Sequence, residues 1–195
     1  MSLIPAFEIG LWNGWILWAL QFASMIIHDL FMSHDAKRRT RRASQFVPFT
    51  KKMEKILALS THVIIMPVSI IYSIFLPLKL GTVWFCTGLV IFISALVVSY
   101  LTTMAFAVTP VDKPVTSGIY RVSRNPIYFG GFLLNLSIGI ACASWIIMLC
   151  AILWIVFFHI VIPAEESFLI DKYGNTYQEY MHRTPRWIGI PNLEA

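Results

Sequence analysis

Four long stretches free of Asp, Glu, Lys and Arg constrain the fold of this chain more than any other feature. They are Ile9–Ile27, Ile56–Leu78, Leu80–Val111 and Asn125–Ala164, of 19, 23, 32 and 40 residues. The hydrocarbon core of a bilayer, about 30 Å thick, takes roughly 20 apolar residues as a helix. Each stretch is therefore long enough to cross a membrane, and the sequence predicts an all-α integral membrane protein.

The last stretch is too long for one crossing. As a single helix its 40 residues would reach about 60 Å at 1.5 Å per residue, twice the thickness of the core. We expect it to reverse at Ala141–Trp145, because the letters ACASW combine small and polar residues with a tryptophan, which favours the membrane interface. This gives five transmembrane helices, of which the last two form a helical hairpin.

The basic residues predict the orientation of these five helices. Five crossings put 14 of the 15 Lys and Arg residues on one side and leave Lys79 on the other. Cytoplasmic loops carry the excess of basic residues, so the N-terminus is expected outside, and the C-terminus and the polar segments on its side are expected in the cytoplasm. The net charge of +5 then reflects topology and contact with membrane lipids, and it does not call for a nucleic-acid partner.

Charged residues make up only 13% of the chain, about half the proportion of a soluble domain. Its three cysteines, Cys86, Cys142 and Cys150, lack CxxC spacing, so neither a disulfide framework nor a metal site is indicated. We divide the chain into residues 1–110, three transmembrane helices with a basic cytoplasmic loop, and residues 111–195. The second region holds the hairpin, the C-terminal cytoplasmic helices and the candidate site.

Polar residues with special geometry are concentrated in GIYRVSRNPIYFGG, residues 118–131. Asn125 is suited to cap a helix that begins with Pro126, where the missing N–H costs nothing. The exposed N–H groups at such a helix start favour an anion. The fourth predicted span therefore begins at a candidate binding site.

Within the second span, Pro67 predicts a kink.

A second polar segment follows the fifth predicted span. It begins with the pair Glu165 and Glu166, and Gly174 is a candidate helix stop. Thr176 and Glu179 match a capping box for a further short helix. A hairpin brings its two cytoplasmic ends together, so the loop before the fourth helix and the C-terminal tail are expected to form one cytoplasmic cofactor pocket. Its donors, acidic groups and tyrosine rings suit a small zwitterion that carries a heterocycle.

These two segments resemble a known family. GIYRVSRNPIYFGG followed by PAEESFLIDKYGNTYQEYMHRTPRW is similar to the C-terminal signature of isoprenylcysteine carboxyl methyltransferases and of related phospholipid methyltransferases. The similarity runs from Asp112 to Trp187, roughly 40% of the chain. The chain length and five spans look like those of the small prokaryotic and archaeal members.

The resemblance implies an S-adenosylmethionine-dependent methyltransferase that acts on a membrane-embedded lipophilic substrate, by carboxyl O-methylation of an isoprenylcysteine-like molecule. A prenylated cysteine is then the expected partner. Glu165, Arg186 and Arg124 are the catalytic candidates, the two arginines as groups that orient an anionic substrate. The implied cofactor-binding residues are Asp112, Lys113, Pro114, Val115, Tyr120, Asn125, Pro126, Ile127, Tyr128, Gly131 and Glu165.

Two departures from the family pattern bear on the substrate. The family usually has Arg-His-Pro where this chain has Arg124-Asn125-Pro126, so imidazole chemistry is lost there. Eukaryotic members carry an arginine four residues before the first glutamate, taken to hold the substrate carboxylate, and this chain has Val161. The residue that holds the carboxylate and the natural methyl acceptor both stay open.

Three other functions stay open as well. A phospholipid N-methyltransferase would share the cofactor and the fold. A sterol-type reductase would bind NADPH, which calls for more arginines than the loop offers. A non-enzymatic transporter or scaffold would be favoured by acidic residues inside the membrane or by paired broken helices, and the middle of the spans has neither. The sequence does not fix the oligomeric state, for which a monomer is the simplest case.

Overall fold

The computed structural model describes residues 7–43 and 52–192. Within these ranges the regular elements are helical, apart from one isolated bridge between Asn13 and Pro77. The α-helices are α1 Trp15–Phe31, α2 His34–Ala43, α3 Lys52–Ser60, α4 Met66–Ser73, α5 Val83–Val108, α6 Pro126–Ala141, α7 Trp145–Tyr173 and α8 Asn175–Arg183.

Three continuous helical segments are long and apolar enough to cross a bilayer: residues 52–73, α5 and α7, with 22, 26 and 29 residues. The predicted first and fourth spans correspond to α1 and α6, which are apolar but have only 17 and 16 residues. At 1.5 Å per residue these two helices measure about 26 and 24 Å. The predicted all-helical architecture is thus confirmed for the described residues, and three of the five predicted spans are long and apolar enough for a full crossing.

The predicted irregularity at Pro67 takes the form of a π-helical turn. Residues Thr61–Ile65 form this turn, directly before α4, in which Pro67 is the second residue. Proline lacks an N–H and its ring crowds the carbonyl four residues earlier, so the wider turn lets the helix continue past it. The Thr61 hydroxyl donates to the carbonyl of Leu57 at 2.7 Å.

One end of the helix bundle is closed by backbone hydrogen bonds between distant segments. The N–H of Gly14 donates to the carbonyl of Leu76 at 2.9 Å, and the N–H of Lys79 donates to that of Ala141 at 3.0 Å. The start of α1, the link from α4 to α5 and the turn after α6 therefore meet at this end. The two polar segments of the sequence lie at the opposite ends of α5, α6 and α7.

Glycines allow α6 to pack closely against its neighbours. A Cβ on Gly88 of α5 would lie 2.6 Å from the Cβ of Ala141, and one on Gly139 would lie 2.7 Å from Cγ of Met148. α6 ends at Ala141 and α7 begins at Trp145, the residues that bound the predicted reversal. The backbone reverses there within three residues, and Ala143 has φ of 51°.

The helix α7 continues past Pro163 to Tyr173 and measures about 44 Å. It stops at Gly174, whose φ is 59°, so the predicted stop is confirmed. The predicted capping box is wrong, because α8 begins at Asn175 and has no side-chain cap. Thr176 therefore already lies inside the first turn of α8.

Candidate functional site

The loop before α6 and the C-terminal tail lie against each other. The N–H of Arg124 donates to the carbonyl of Pro185 at 3.0 Å, and the N–H of Gly189 donates to that of Val122 at 3.0 Å. The side-chain amide of Asn125 donates to the carbonyl of Arg186 at 3.1 Å. These three hydrogen bonds bring together the two segments that the sequence pattern predicted to be neighbours.

Asn125 and Pro126 begin α6 as predicted, but the Asn125 side chain does not cap it. No hydrogen bond joins that side chain to the first turn, and Pro126 occupies the first helical position. The prediction of a side-chain cap is wrong: Nδ2 of Asn125 donates to the tail, and Oδ1 accepts nothing from the first turn of α6. The N–H groups of the first turn are therefore left without a side-chain acceptor from Asn125.

Tyr128, in the first turn of α6, is fixed against α7. Its phenol donates to Oε1 of Glu165 at 2.6 Å. Its ring stacks on Phe158 with centroids 3.9 Å apart and planes 15° apart, and its carbonyl accepts from Nε1 of Trp154 at 3.0 Å. The carboxylate of Glu165 is thus held at the start of α6, and this residue remains partly exposed.

Glu166, the second glutamate of the pair, is only 4% exposed. It accepts from Nη2 and Nε of Arg186 at 2.7 and 3.3 Å, and Nη2 of Arg124 lies 3.2 Å from its Oε1. Both arginines predicted as catalytic candidates therefore meet on one buried carboxylate. A buried carboxylate requires such partners, since burial of an unpaired charge is very costly.

Sequence reasoning singled out Glu165 and missed the bridging role of Glu166. No signal in the sequence separates the two glutamates, because Val161 and Ile162, four residues before Glu165 and Glu166, are both apolar and fully buried. An acidic residue on an apolar, buried helix face needs a basic partner. Arg124 and Arg186 are the nearby basic residues of the two flanking polar segments.

A second cluster joins the loop to α8. Tyr120, Tyr177 and Tyr180 are buried together with the C-terminal end of α5, and the hydroxyl of Tyr180 donates to the carbonyl of Tyr120 at 2.7 Å. Burial raises the pKa of all three phenols above their ordinary value of about 10. Val115 packs against this cluster, so two of the predicted cofactor-binding residues belong to it.

The other predicted residues differ in their exposure. Asp112 and Lys113 are exposed, as is Ile127, while Pro114 is half-buried and Pro126 is buried. At Gly131 a Cβ would lie 2.5 Å from Cζ2 of Trp154, so the absence of a side chain there serves the packing of α6 on α7. The contacts gather Arg124, Asn125, Tyr128, Glu165 and Arg186, and the cofactor contacts of the remaining residues stay predictions.

Comparison with known proteins identifies relatives that match part of this chain. Protein-S-isoprenylcysteine O-methyltransferase of Dictyostelium discoideum is 34% identical over 90 residues, which cover 40% of this chain and 33% of that protein. The protein of the same name from Schizosaccharomyces pombe is 33% identical over 79 residues, covering 40% of this chain and 32% of the relative. Protein-S-isoprenylcysteine O-methyltransferase B of Arabidopsis thaliana is 33% identical over 81 residues, 40% of each chain.

The matched region thus spans between a third and two fifths of the length of these curated relatives. The sequence profile described as phospholipid methyltransferase matches residues 76–176. That match runs from the link after α4 through α5, α6 and α7 and includes every residue of the Tyr128–Glu165 contact. Because it covers just over half of the 195 residues, this chain belongs to the phospholipid methyltransferase family.

Proposed function

We propose that this chain is an S-adenosylmethionine-dependent methyltransferase that O-methylates the carboxylate of a lipophilic, isoprenylcysteine-like substrate. The observation that carries the proposal is the hydrogen bond between Tyr128 and Glu165. It joins the start of α6 to the C-terminal part of α7, as a shared cofactor pocket requires. The names of the three relatives, all isoprenylcysteine O-methyltransferases, support the choice of substrate.

The residues around this contact fit the proposed cofactor. The first turn of α6 receives no cap from the Asn125 side chain, and uncapped N–H groups at a helix start suit a carboxylate. The partly exposed Glu165 supplies acceptors for hydroxyl or amino groups. Tyr120 and residues 112–115 would line the loop side. When bound, S-adenosylmethionine supplies a methyl group carried on a sulfonium.

In this reaction the protein has to position the reacting groups and does not have to transfer a proton. A carboxylate acceptor is already a nucleophile and needs no general base. A site that excludes water assists the reaction of a cation with an anion, and alignment of the reacting groups lowers the barrier by several kcal/mol. In this proposal Arg186, whose side chain is 33% exposed, orients the acceptor carboxylate, with Arg124 behind it.

We place the site at the cytoplasmic surface of the membrane, with α6 and α7 as a transmembrane hairpin in a five-span topology. The lipid part of the substrate then stays in the bilayer while the cofactor arrives from the cytoplasm. The distribution of basic residues supports this orientation. A helix as short as α6 can cross if the bilayer thins locally, at a modest cost per ångström of mismatch. Residues 111–195 would then form the catalytic region.

Phospholipid N-methylation is the second candidate. The name of the family profile and Val161 in place of the arginine of eukaryotic members both favour it. An amine must lose a proton before it attacks. The partly exposed Glu165 carboxylate would be the group available to accept that proton, whereas Glu166 is occupied by two arginines.

Two measurements test these proposals in order. Calorimetric titration of the detergent-purified protein with S-adenosylhomocysteine should give saturable heat, and titration with NADPH should give none. Saturable heat with NADPH alone would contradict the methyltransferase proposal and favour a reductase. Methyl transfer to a farnesylated cysteine analogue is then compared with transfer to phosphatidylethanolamine in vesicles. Turnover of the phospholipid alone would replace the carboxylate substrate by the amine.

A further inference from the structure

We infer that Glu166 is a positioning residue that orients the guanidinium of Arg186 toward an anionic group of the methyl acceptor. The inference rests on the proposed function, because it concerns how the same site holds its substrate. It separates the tasks of the two adjacent glutamates: Glu165 contacts Tyr128 at the start of α6, and Glu166 binds Arg124 and Arg186.

The contact between Glu166 and Arg186 fixes the orientation of the guanidinium plane as well as its position. Nε and Nη2, on one edge of the guanidinium, reach the two carboxylate oxygens at 3.3 and 2.7 Å. A two-point contact of this kind restricts rotation of the planar group. The remaining amine, Nη1, has no partner among the residues that the structure describes. Its N–H groups therefore stay available to an incoming anion.

Charge and burial indicate which member of the cluster meets that anion. Two guanidiniums share one carboxylate, so the cluster has a formal charge of +1. The side chain of Arg124 is 9% exposed and that of Glu166 is 5% exposed, whereas that of Arg186 is 33% exposed. Arg186 is thus the charged member of the cluster that reaches solvent, and Arg124 acts as a buried second counter-charge.

The backbones of both arginines are held as well. The N–H of Arg124 donates to the carbonyl of Pro185, and the Asn125 amide donates to the carbonyl of Arg186. The backbones at Arg124 and Arg186 are therefore held by these hydrogen bonds, and the contact with Glu166 orients the two side chains. A loss of Glu166 should then alter where the Arg186 side chain points more than where its backbone lies.

A double-mutant cycle tests whether Glu166 acts through Arg186. Steady-state kinetics with a farnesylated cysteine analogue and calorimetry with S-adenosylhomocysteine are compared in wild type, Glu166→Gln, Arg186→Ala and the double variant. We expect Glu166→Gln to lower kcat/KM for the acceptor roughly 10- to 100-fold, the range for one charged hydrogen-bonding partner. Affinity for S-adenosylhomocysteine should change by less than about threefold. In the Arg186→Ala background the same change should have almost no further effect.

Equal losses in both backgrounds, or a loss of S-adenosylhomocysteine affinity as large as the loss in kcat/KM, would overturn the inference. If Glu166→Gln does not fold, Arg186→Lys tests the same point, because lysine keeps the charge but cannot make the two-point contact. It should show the same selective loss toward the acceptor, and unchanged kcat/KM would overturn the inference. Wild-type protein that neither binds S-adenosylhomocysteine nor turns over contradicts the proposed function itself, which distinguishes the two failures.

Discussion

The phenol of Tyr128 lies 2.6 Å from a carboxylate oxygen of Glu165, although the two residues are 37 positions apart in the chain. The contact exists because α6 and α7 are consecutive and pack side by side, so the first turn of one meets the distal part of the other. Phe158, stacked on the Tyr128 ring, leaves the phenol little freedom. Substitutions at this pair should therefore affect binding more than folding.

Replacement of Glu165 by glutamine should weaken the binding of S-adenosylhomocysteine. Glutamine keeps an oxygen that can accept from Tyr128, so the fold should persist, but it removes the negative charge offered to the ligand. We expect a loss of roughly 10- to 100-fold in affinity, measured by calorimetry. Asp171→Asn is the matched control, because this exposed acid lies on the same helix. Equal affinity in wild type and Glu165→Gln would show that the ligand does not use this carboxylate.

Replacement of Gly131 by alanine should destabilise the protein, since the added Cβ would lie 2.5 Å from the buried ring of Trp154. Overpacking of this kind costs about 1–3 kcal/mol, partly offset by the better helix propensity of alanine, about 1 kcal/mol. Gly130→Ala is the control, because its Cβ would lie 3.2 Å from a side-chain methyl of Val98, a much less severe contact than that at Gly131. Thermal unfolding in detergent should place Gly131→Ala below Gly130→Ala. The reverse order would contradict the packing role.

The buried tyrosines predict a loss of stability at alkaline pH. Burial raises the pKa of Tyr180 in the folded state, so the folded protein favours the neutral phenol. This contribution is complete below the unfolded pKa of about 10 and is lost as the pH rises from there toward the folded value. The melting temperature of the wild type should therefore begin to fall near pH ~10 and should decrease further as the pH rises above that value.

Tyr180→Phe isolates this contribution. At pH 7 the variant should melt about 2–4 °C lower, since it loses one hydrogen bond, to the carbonyl of Tyr120, worth about 1 kcal/mol. The further decrease in its melting temperature toward alkaline pH should be smaller than that of the wild type, although Tyr120 and Tyr177 still titrate. Parallel pH profiles of the two proteins would show that Tyr180 does not contribute to the alkaline transition.

Features set by local sequence were predicted well. The long apolar stretches gave the helices, and Pro126 and Gly174 mark a helix start and a helix stop, because their backbone preferences act without help from distant residues. Short polar residues were predicted less well. The Asn125 side chain donates to a residue 61 positions away, and local pattern cannot weigh such a partner against a helix cap.

At the candidate site, too, some features could be predicted from the sequence and others depend on packing between distant residues. That the segments around Arg124 and Glu165 would meet could be deduced from the folding back of one long apolar stretch. Which of the two glutamates would bind the arginines could not be deduced, because their positions differ by only one residue, about 100° around α7. That difference turns Glu166 toward the buried side and leaves Glu165 partly exposed. Side-chain direction depends on packing that periodicity alone does not resolve.

Replacement of Asn125 by alanine should loosen the C-terminal tail. It removes the donor to the carbonyl of Arg186 in a partly buried hydrogen bond, which is worth about 1 kcal/mol. Local opening of the tail should then increase roughly fivefold, and with it the rate of tryptic cleavage after Arg186, which tracks the open population.

Asn175→Ala is the matched control for this change, because Asn175 is exposed at the start of α8. Limited proteolysis of both variants in the same detergent, followed by mass spectrometry of the released C-terminal peptide, compares the two rates. Cleavage should accelerate in Asn125→Ala only. Because α6 keeps its start at Pro126, the melting temperature should fall by only a few degrees. Equal cleavage rates in the two variants would mean that the tail is held by its main-chain contacts to Val122 and Arg124 alone.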